Sequence, residues 1–480
     1  MISFKNVSFY YGEAHNVSRP VLENISFEIR TGECIILCGR SGSGKSTLLR
    51  LINGLAPNFY KGSLKGIISV NDMVPALMTP TQRVETFGTV FQDPRSQFFM
   101  DIVQDEIAFS AENIGLPPSV IREKIKDIAR LLNIGHLLNQ SVDTLSSGQK
   151  QRVALASACI VSPKILILDE PVSNLDAKGI HLLLRVLEKI KKRGTIIIIS
   201  EHRLHTFLPI ADLFFHIENS QLADKWSKKT FMNLTVREME KYGFRYPGMV
   251  CPLVRKRPSV LQEKSVFNIV NLTYQYKKTN QGIKNISLDI PSGSIVALLG
   301  ENGAGKTTTC KILCGLLKEK GGVILKKNRR ISCVQRRMMS YFVMQDVDYQ
   351  LYSDSVCNEL VLGRTVSKDL KERTSTALDL FHLSKAAQQH PASLSGGEKQ
   401  RVTLAAAYCS DTDFFVFDEP TSGMDGAGLS IFTCWLDMLA SEGKTSIIIT
   451  HDELLTAMIC DYAVYMEEGK VKTIKKLSEI

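Results

Sequence analysis

Two short runs carry the strongest chemical signal. One is Gly39, Arg40, Ser41, Gly42, Ser43, Gly44, Lys45 and Ser46, with Thr47 behind it; the other is Gly300, Glu301, Asn302, Gly303, Ala304, Gly305, Lys306 and Thr307, with Thr308 behind it. Both fit G-x-x-x-x-G-K-[S/T], and both follow an apolar run and precede a helical stretch, the context that turns the pattern into a phosphate site. Glycines let successive backbone N–H groups turn inward into an anion-binding concavity, and a helix that starts at the lysine adds its positive end. Lys45 and Lys306 suit the β- and γ-phosphates of a nucleotide, and the hydroxyls of Ser46 and Thr307 suit Mg²⁺.

Phosphoryl chemistry also needs a carboxylate for the metal and a group that orients water, and one acid does both poorly. Each half of the chain supplies a pair. Asp169 and Asp418 close apolar strands and suit the metal; Glu170 and Glu419, one residue on, point elsewhere and suit a general base. Helix capping is the lesser explanation for such an acidic strand end, whereas a lone histidine is more often an ordinary packed residue. His202 and His451 nevertheless both come just after a buried strand, where a side chain can reach a terminal phosphate.

The elements that position these groups occur twice. Asp169 to Asp418 and His202 to His451 share an offset of 249 residues, whereas the first copy carries eight extra residues between its lysine and the later glutamine. That insertion suits a surface loop. Asn24–Ile29 and Asn285–Ile290 alternate polar and apolar residues, as half-buried antiparallel strands do. Cys34–Cys38, Ile165–Leu168, Ile196–Ile199, Ile295–Leu299 and Ile447–Ile449 are continuous apolar runs, the mark of parallel strands buried on both faces. Helical stretches between them make each copy an α/β unit. The expected organisation is one domain over 1–223, a connector over 224–264 and a second domain over 265–480. The connector holds ten Lys/Arg against four Asp/Glu, and Pro247, Pro252 and Pro258 interrupt any long helix there.

The 480 residues, 44% hydrophobic and 22% charged, have the composition of globular domains rather than disordered or fibrous chains. No window reaches the roughly 18 apolar residues of a membrane span, and Met1–Gly12 lacks a signal-peptide pattern, so a cytosolic chain is expected. Eleven cysteines without a Cys-x-x-Cys pair argue against zinc or a disulfide framework; Cys34, Cys38, Cys310 and Cys314 read as small packed hydrophobes. A net charge of +10 is compatible with nucleic acid, anionic lipid or a solvated surface.

Both halves resemble ATP-binding cassette (ABC) ATPase domains. The resemblance rests on the phosphate loops, the paired acids and a signature run, Leu145 with Ser146, Ser147, Gly148 and Gln149, answered by Leu394 with Ser395, Gly396, Gly397 and Glu398. It implies two tandem P-loop NTPase domains, each with a mainly parallel core sheet, an antiparallel β subdomain and a helical subdomain over 93–144 or 346–393. It further implies ATP and Mg²⁺ as cofactors, Gln92 and Gln345 as metal-sensing glutamines, Asp176 and Asp425 in loops between domains, and Tyr11 and Tyr276 stacked on adenine. The two cassettes would then form an intramolecular pseudo-dimer, each ATP lying between one phosphate loop and the other cassette's signature. Ser147 stands where the family has glycine, so unequal sites are expected.

The runs Phe91–Phe98, Val343–Gln350 and Glu201–Leu204 resemble the energy-coupling factor (ECF) class of importers. That resemblance implies an integral membrane coupling protein and a substrate-capturing membrane subunit for a vitamin or metal ion as partners. The chain would sit peripherally on the cytoplasmic face of the membrane and bind no nucleic acid. The ATPase of a conventional sugar importer, and a cytosolic tandem protein acting on ribosomes or DNA, are the alternatives; the proline-broken connector and scattered cysteines fit the second poorly.

Overall fold

Alternating and continuous apolar runs build two kinds of sheet in each half of the chain. The computed structural model describes residues 1–12, 19–173, 175–246, 249, 265–277 and 281–477. Two compact units result, Met1–Tyr246 and Pro247–Ile480.

In the first unit the central parallel strand is Cys34–Cys38, between Ile196–Ser200 and Leu213–Glu218. Ile165–Asp169 and Phe87–Val90 extend the sheet on one side, and Gln221–Ser227 closes the other side antiparallel. Successive side chains alternate between faces. Thus Ile35, Leu37, Ile165, Ile167, Ile196 and Ile198 join the core shared with the antiparallel sheet and the helix Lys45–Ile52. Cys34, Ile36, Cys38, Leu166, Leu168, Ile197 and Ile199 join a second core under the helices. Both faces are covered, which is why these strands contain almost no polar residue. Leu22–Ile29 lies beside Ile2–Tyr11, followed by Gly62–Val70, in an antiparallel sheet with one covered face, and its burial alternates accordingly.

The second unit repeats the plan. Ile295–Leu299 lies between Thr445–Ile449 and Tyr462–Glu467, with Phe414–Asp418, Ser340–Val343 and Lys470–Lys476 completing six strands. Gly282–Pro291, Ser265–Gln275, Gly321–Lys326 and Arg329–Arg330 form its antiparallel sheet. Helices Val103–Asn113 and Pro118–Leu131 in the first unit, and Val356–Val361 and Lys368–Leu380 in the second, occupy the regions expected to be helical. Burial pushes the Cys34 and Cys314 thiols up to about 12, in keeping with cysteines packed among apolar neighbours.

Residues 224–246, expected in the connector, fold with the first unit. Residues 224–227 finish the strand Gln221–Ser227, and helices Lys228–Met232 and Val236–Tyr242 follow. A count of charges over this window obscures its aromatic residues: Trp226, Phe231, Phe244 and Tyr246 are all buried. The rest of the expected connector, apart from Met249, lies outside the described residues, including the three prolines. Among the described residues no helix is long and apolar enough to cross a membrane.

Candidate nucleotide-binding sites

The central strand of each parallel sheet runs straight into a phosphate loop, at the carboxyl end of the strands where open α/β sheets bind ligands. Tight packing beneath the loop fixes its course. Gly39 (φ +140°) and Gly300 (φ +143°) lie so close to the neighbouring strand that a Cβ would fall 2.2 Å from the carbonyl oxygens of Ile217 and Met466. On the other side of the loop, Gly42 (φ +79°) and Gly303 (φ +85°) face open space, with nothing within 4 Å of a Cβ position. The open space at these glycines leaves a concavity beside the loop, which suits a polyphosphate. Lys45 Nζ donates to the carbonyls of Gly39 and Arg40, both at 2.9 Å, and Lys306 Nζ donates to those of Gly300 (2.6 Å) and Glu301 (3.0 Å). Each ammonium is therefore folded over its loop.

The residues expected to hold a metal meet beside each loop. Thr307 Oγ1 donates to Asp418 Oδ2 at 2.9 Å, and the Ser46 hydroxyl counts among the groups that pull the Asp169 carboxyl down. Burial holds both aspartates above the usual carboxylate range, with the hydroxyl bonds opposing it. A hydroxyl beside a carboxylate is a hard oxygen donor set, and it fits Mg²⁺. Glu170 (φ +48°) and Glu419 (φ +49°) are in the left-handed region, and this turn carries their side chains away from the aspartates. Glu170 accepts a bond from Gln92 Nε2 at 3.0 Å and lies 3.8 Å from His202 Nε2; Glu419 lies 3.7 Å from His451 Nε2. Burial, then the charges of Asp169 and Glu201, push the Glu170 carboxyl up to about 8. Burial, then Lys45 and Arg245, hold His202 well below its ordinary value, so its imidazole is neutral.

Loop, lysine, hydroxyl, acid pair and histidine therefore converge within each unit, and Gln92 joins them in the first. Gln345 follows the strand Ser340–Val343, matching the place of Gln92 after Phe87–Val90. Tyr11 Oη meets Thr47 Oγ1 at 3.1 Å and accepts from Arg50 at 3.0 Å, whereas Tyr276 Oη reaches Thr308 Oγ1 only at 3.4 Å. Asp176 and Asp425 cap the helices Ala177–Lys192 and Gly426–Ser441. Ser146 and Ser395 cap Ser147–Cys159 and Gly396–Tyr408, and bonds with Gln149 and Glu398 complete capping boxes. Ser147 is the first residue of its helix and has no positive φ, so its Cβ costs no backbone strain.

The tasks of two pairs of residues escaped the sequence reading. Glu201 accepts from the backbone N–H of His202 (2.7 Å), Arg203 (2.9 Å) and Val172 (3.4 Å), tying the histidine to the loop behind Glu170. In the second unit Asp452, on the other side of the histidine, makes that tie by accepting from Thr421 Oγ1 at 2.8 Å. Glu106 accepts from the N–H groups of Phe99 (2.8 Å) and Met100 (2.9 Å), and Glu359 from those of Tyr352 (2.9 Å) and Ser353 (2.7 Å). These buried carboxylates fasten the segment after each glutamine to the helical layer. Their signal was in the repeat, since Val103-Gln-Asp-Glu106 is answered by Val356-Cys-Asn-Glu359.

The ABC transporter family profile matches residues 22–173 and 283–422, and the chain belongs to this family. It is 34% identical over 479 residues to a candidate ABC transporter ATP-binding protein of Treponema denticola, covering 98% of this chain and 96% of that one. It is 30% identical over 502 residues to the candidate HMP/thiamine import ATP-binding protein YkoD of Bacillus subtilis, covering 98% and 90%. The solved structure of an RNase-L inhibitor, 18% identical with a TM-score of 0.66 over 99% of this chain and 91% of that chain, shares the fold. The protein is an ABC ATPase that couples ATP hydrolysis to transport.

Proposed function

We propose that the chain is the ATP-hydrolysing subunit of an ECF-type importer, acting at the cytoplasmic face of the membrane through an integral coupling protein and a substrate-capturing subunit. One observation carries this reading: the chain aligns over 98% of its length with a relative named for HMP/thiamine import, both cassettes included. The likeness to the RNase-L inhibitor, at 18% identity, concerns the fold alone and lends no weight to ribosome binding.

In each cassette the assigned roles follow from position. Backbone N–H groups of the loop and the lysine hold the β- and γ-phosphates, and Mg²⁺ at Ser46/Asp169 and Thr307/Asp418 would neutralise charge developing on them. Glu170 and Glu419, turned away from the metal side, accept a proton from the attacking water. The neutral imidazole of His202, at the end of its strand, holds the geometry between Glu170 and the terminal phosphate. Affinity purification from gently solubilised membranes tests the proposal: small integral proteins should co-purify, whereas ribosomal RNA in their place would overturn it.

A further inference from the structure

We propose that Gln400 is a positioning residue for Glu419, tying the second signature helix to the turn that carries the proposed general base. Gln400 lies in the second turn of the helix Gly396–Tyr408 and is 8% exposed. Its Nε2 donates to the carbonyl of Pro420 and, at 3.5 Å, to that of Glu419 itself. The N–H of Glu419 donates to the carbonyl of Ile449 at 2.9 Å. One residue is thus held by the parallel sheet through its N–H and by the signature helix through its carbonyl. Just beyond, Thr421 Oγ1 donates to Asp452 at 2.8 Å. Glu419 keeps φ +49° within this grip, and a side chain in the left-handed region stays there only where its surroundings over-determine it.

The first cassette has the same residue without the bond. Gln151, at the repeat offset from Gln400, is buried, yet neither its Nε2 nor its Oε1 has a hydrogen-bond partner among the described residues. It borders a small cavity with Leu168, Pro171 and Leu175 instead. The residue before it differs in the same sense. Lys399 Nζ reaches Asp348 Oδ1 at 2.7 Å, in the segment after Gln345. In the first cassette the matching residues are two cations, Lys150 and Arg95, and Arg95 pairs with Asp93 at 3.0 Å. Two adjacent side chains of the second signature helix therefore hold both the glutamine segment and the glutamate turn. Buried amides are ordinarily paired, so the bonds of Gln400 fix the register of helix against turn.

The inference rests on the reading of Glu419 as general base, and the experiment separates the two. In full-length protein carrying Lys45→Ala, so that the second site is read, single-turnover hydrolysis and ATP affinity are measured for Gln400→Met, Glu419→Gln and both together. Methionine keeps the length of the side chain and removes the donor; turnover should fall about tenfold with ATP affinity within about twofold. In the Glu419→Gln background the same substitution should add less than about twofold, because the group it positions is already disabled. A further tenfold loss there, equal losses of affinity and turnover, or no loss in Gln400→Met overturns the role of Gln400. Unchanged turnover in Glu419→Gln would overturn the base itself. Gln151→Met, read at the first site in Lys306→Ala protein, should change turnover by less than about twofold, and a loss as large as that of Gln400→Met overturns the contrast between the cassettes. If Gln400→Met does not fold, Gln400→Asn, an amide one methylene short of the two carbonyls, takes its place with the same expected and overturning results.

Discussion

The strand pair that ends each parallel sheet is treated differently in the two units. In the first, His216 stacks on Trp226 at 5.6 Å, and Tyr242 and Phe244 from the following segment close over them. Phe231 stacks on Phe214 at 3.9 Å beneath the same cover. In the second, Tyr465 is 36% exposed and Lys475 Nζ lies over its ring at 5.6 Å. One backbone plan thus carries an apolar seat in one copy and a solvated surface in the other. The nucleotide sites differ as well. His202 is buried and feels Arg245, whereas His451 contacts Lys306 Nζ at 3.4 Å and Asn302 Oδ1 at 3.3 Å. The chemistry of the two sites is duplicated; their surroundings are not.

The largest expected effect tests what is duplicated. Glu170→Gln and Glu419→Gln each remove a proposed general base, and turnover at the altered site should fall by about 10²- to 10⁴-fold while nucleotide binding is spared. Steady-state hydrolysis together with equilibrium nucleotide binding checks this, and unchanged turnover in the double variant would remove both glutamates from the mechanism. Trp226→Ala tests what differs. Truncating a buried tryptophan should destabilise the first unit by about 3–5 kcal/mol, while Lys475→Ala at the matching position should stay within about 0.5 kcal/mol of the parent. Thermal unfolding of the full chain reads the contrast, and equal shifts would mean that the aromatic seat contributes nothing.

Most of each site was legible because its residues are local. The phosphate loops, the acid pairs after an apolar strand and the histidines each announce themselves within a few positions, and the repeat doubles every signal. The strands were legible for the same reason: Cys34–Cys38 is apolar throughout because both of its faces are covered, and Leu22–Ile29 alternates because one is. What escaped depends on burial and on contacts between distant positions. Arg245 reads as one more surface charge until Phe244 is seen packed on His216. Glu201 and Asp452 occupy different places around their histidines, so alignment of the two copies conceals their common task.

That task yields a smaller effect. Glu201→Gln and Asp452→Asn keep the size of the side chain but weaken charge-assisted bonds, at a cost of about 1.5–3 kcal/mol each in local stability. Because each acid ties a histidine to the loop behind the proposed general base, both variants should lower turnover at their own site more than they weaken ATP binding. Loss of binding with turnover per bound ATP intact would mean that these acids merely support the loop.

The smallest effect is expected at Ser147. Its place as the first helical residue after the Ser146 cap leaves room for a Cβ without strain, so the serine needs no compensation from its surroundings. Glycine there gains flexibility and loses a side chain at a helix end, where its penalty is below the roughly 1 kcal/mol it carries in a helix interior. Ser147→Gly should therefore leave the unfolding temperature nearly unchanged. Its effect on turnover decides the source of asymmetry between the sites. If Lys45→Ala and Lys306→Ala differ in single-turnover hydrolysis in the parent and still differ after Ser147→Gly, the inequality belongs to the covered and uncovered surroundings of His202 and His451. If the difference disappears, it belongs to the signature helix.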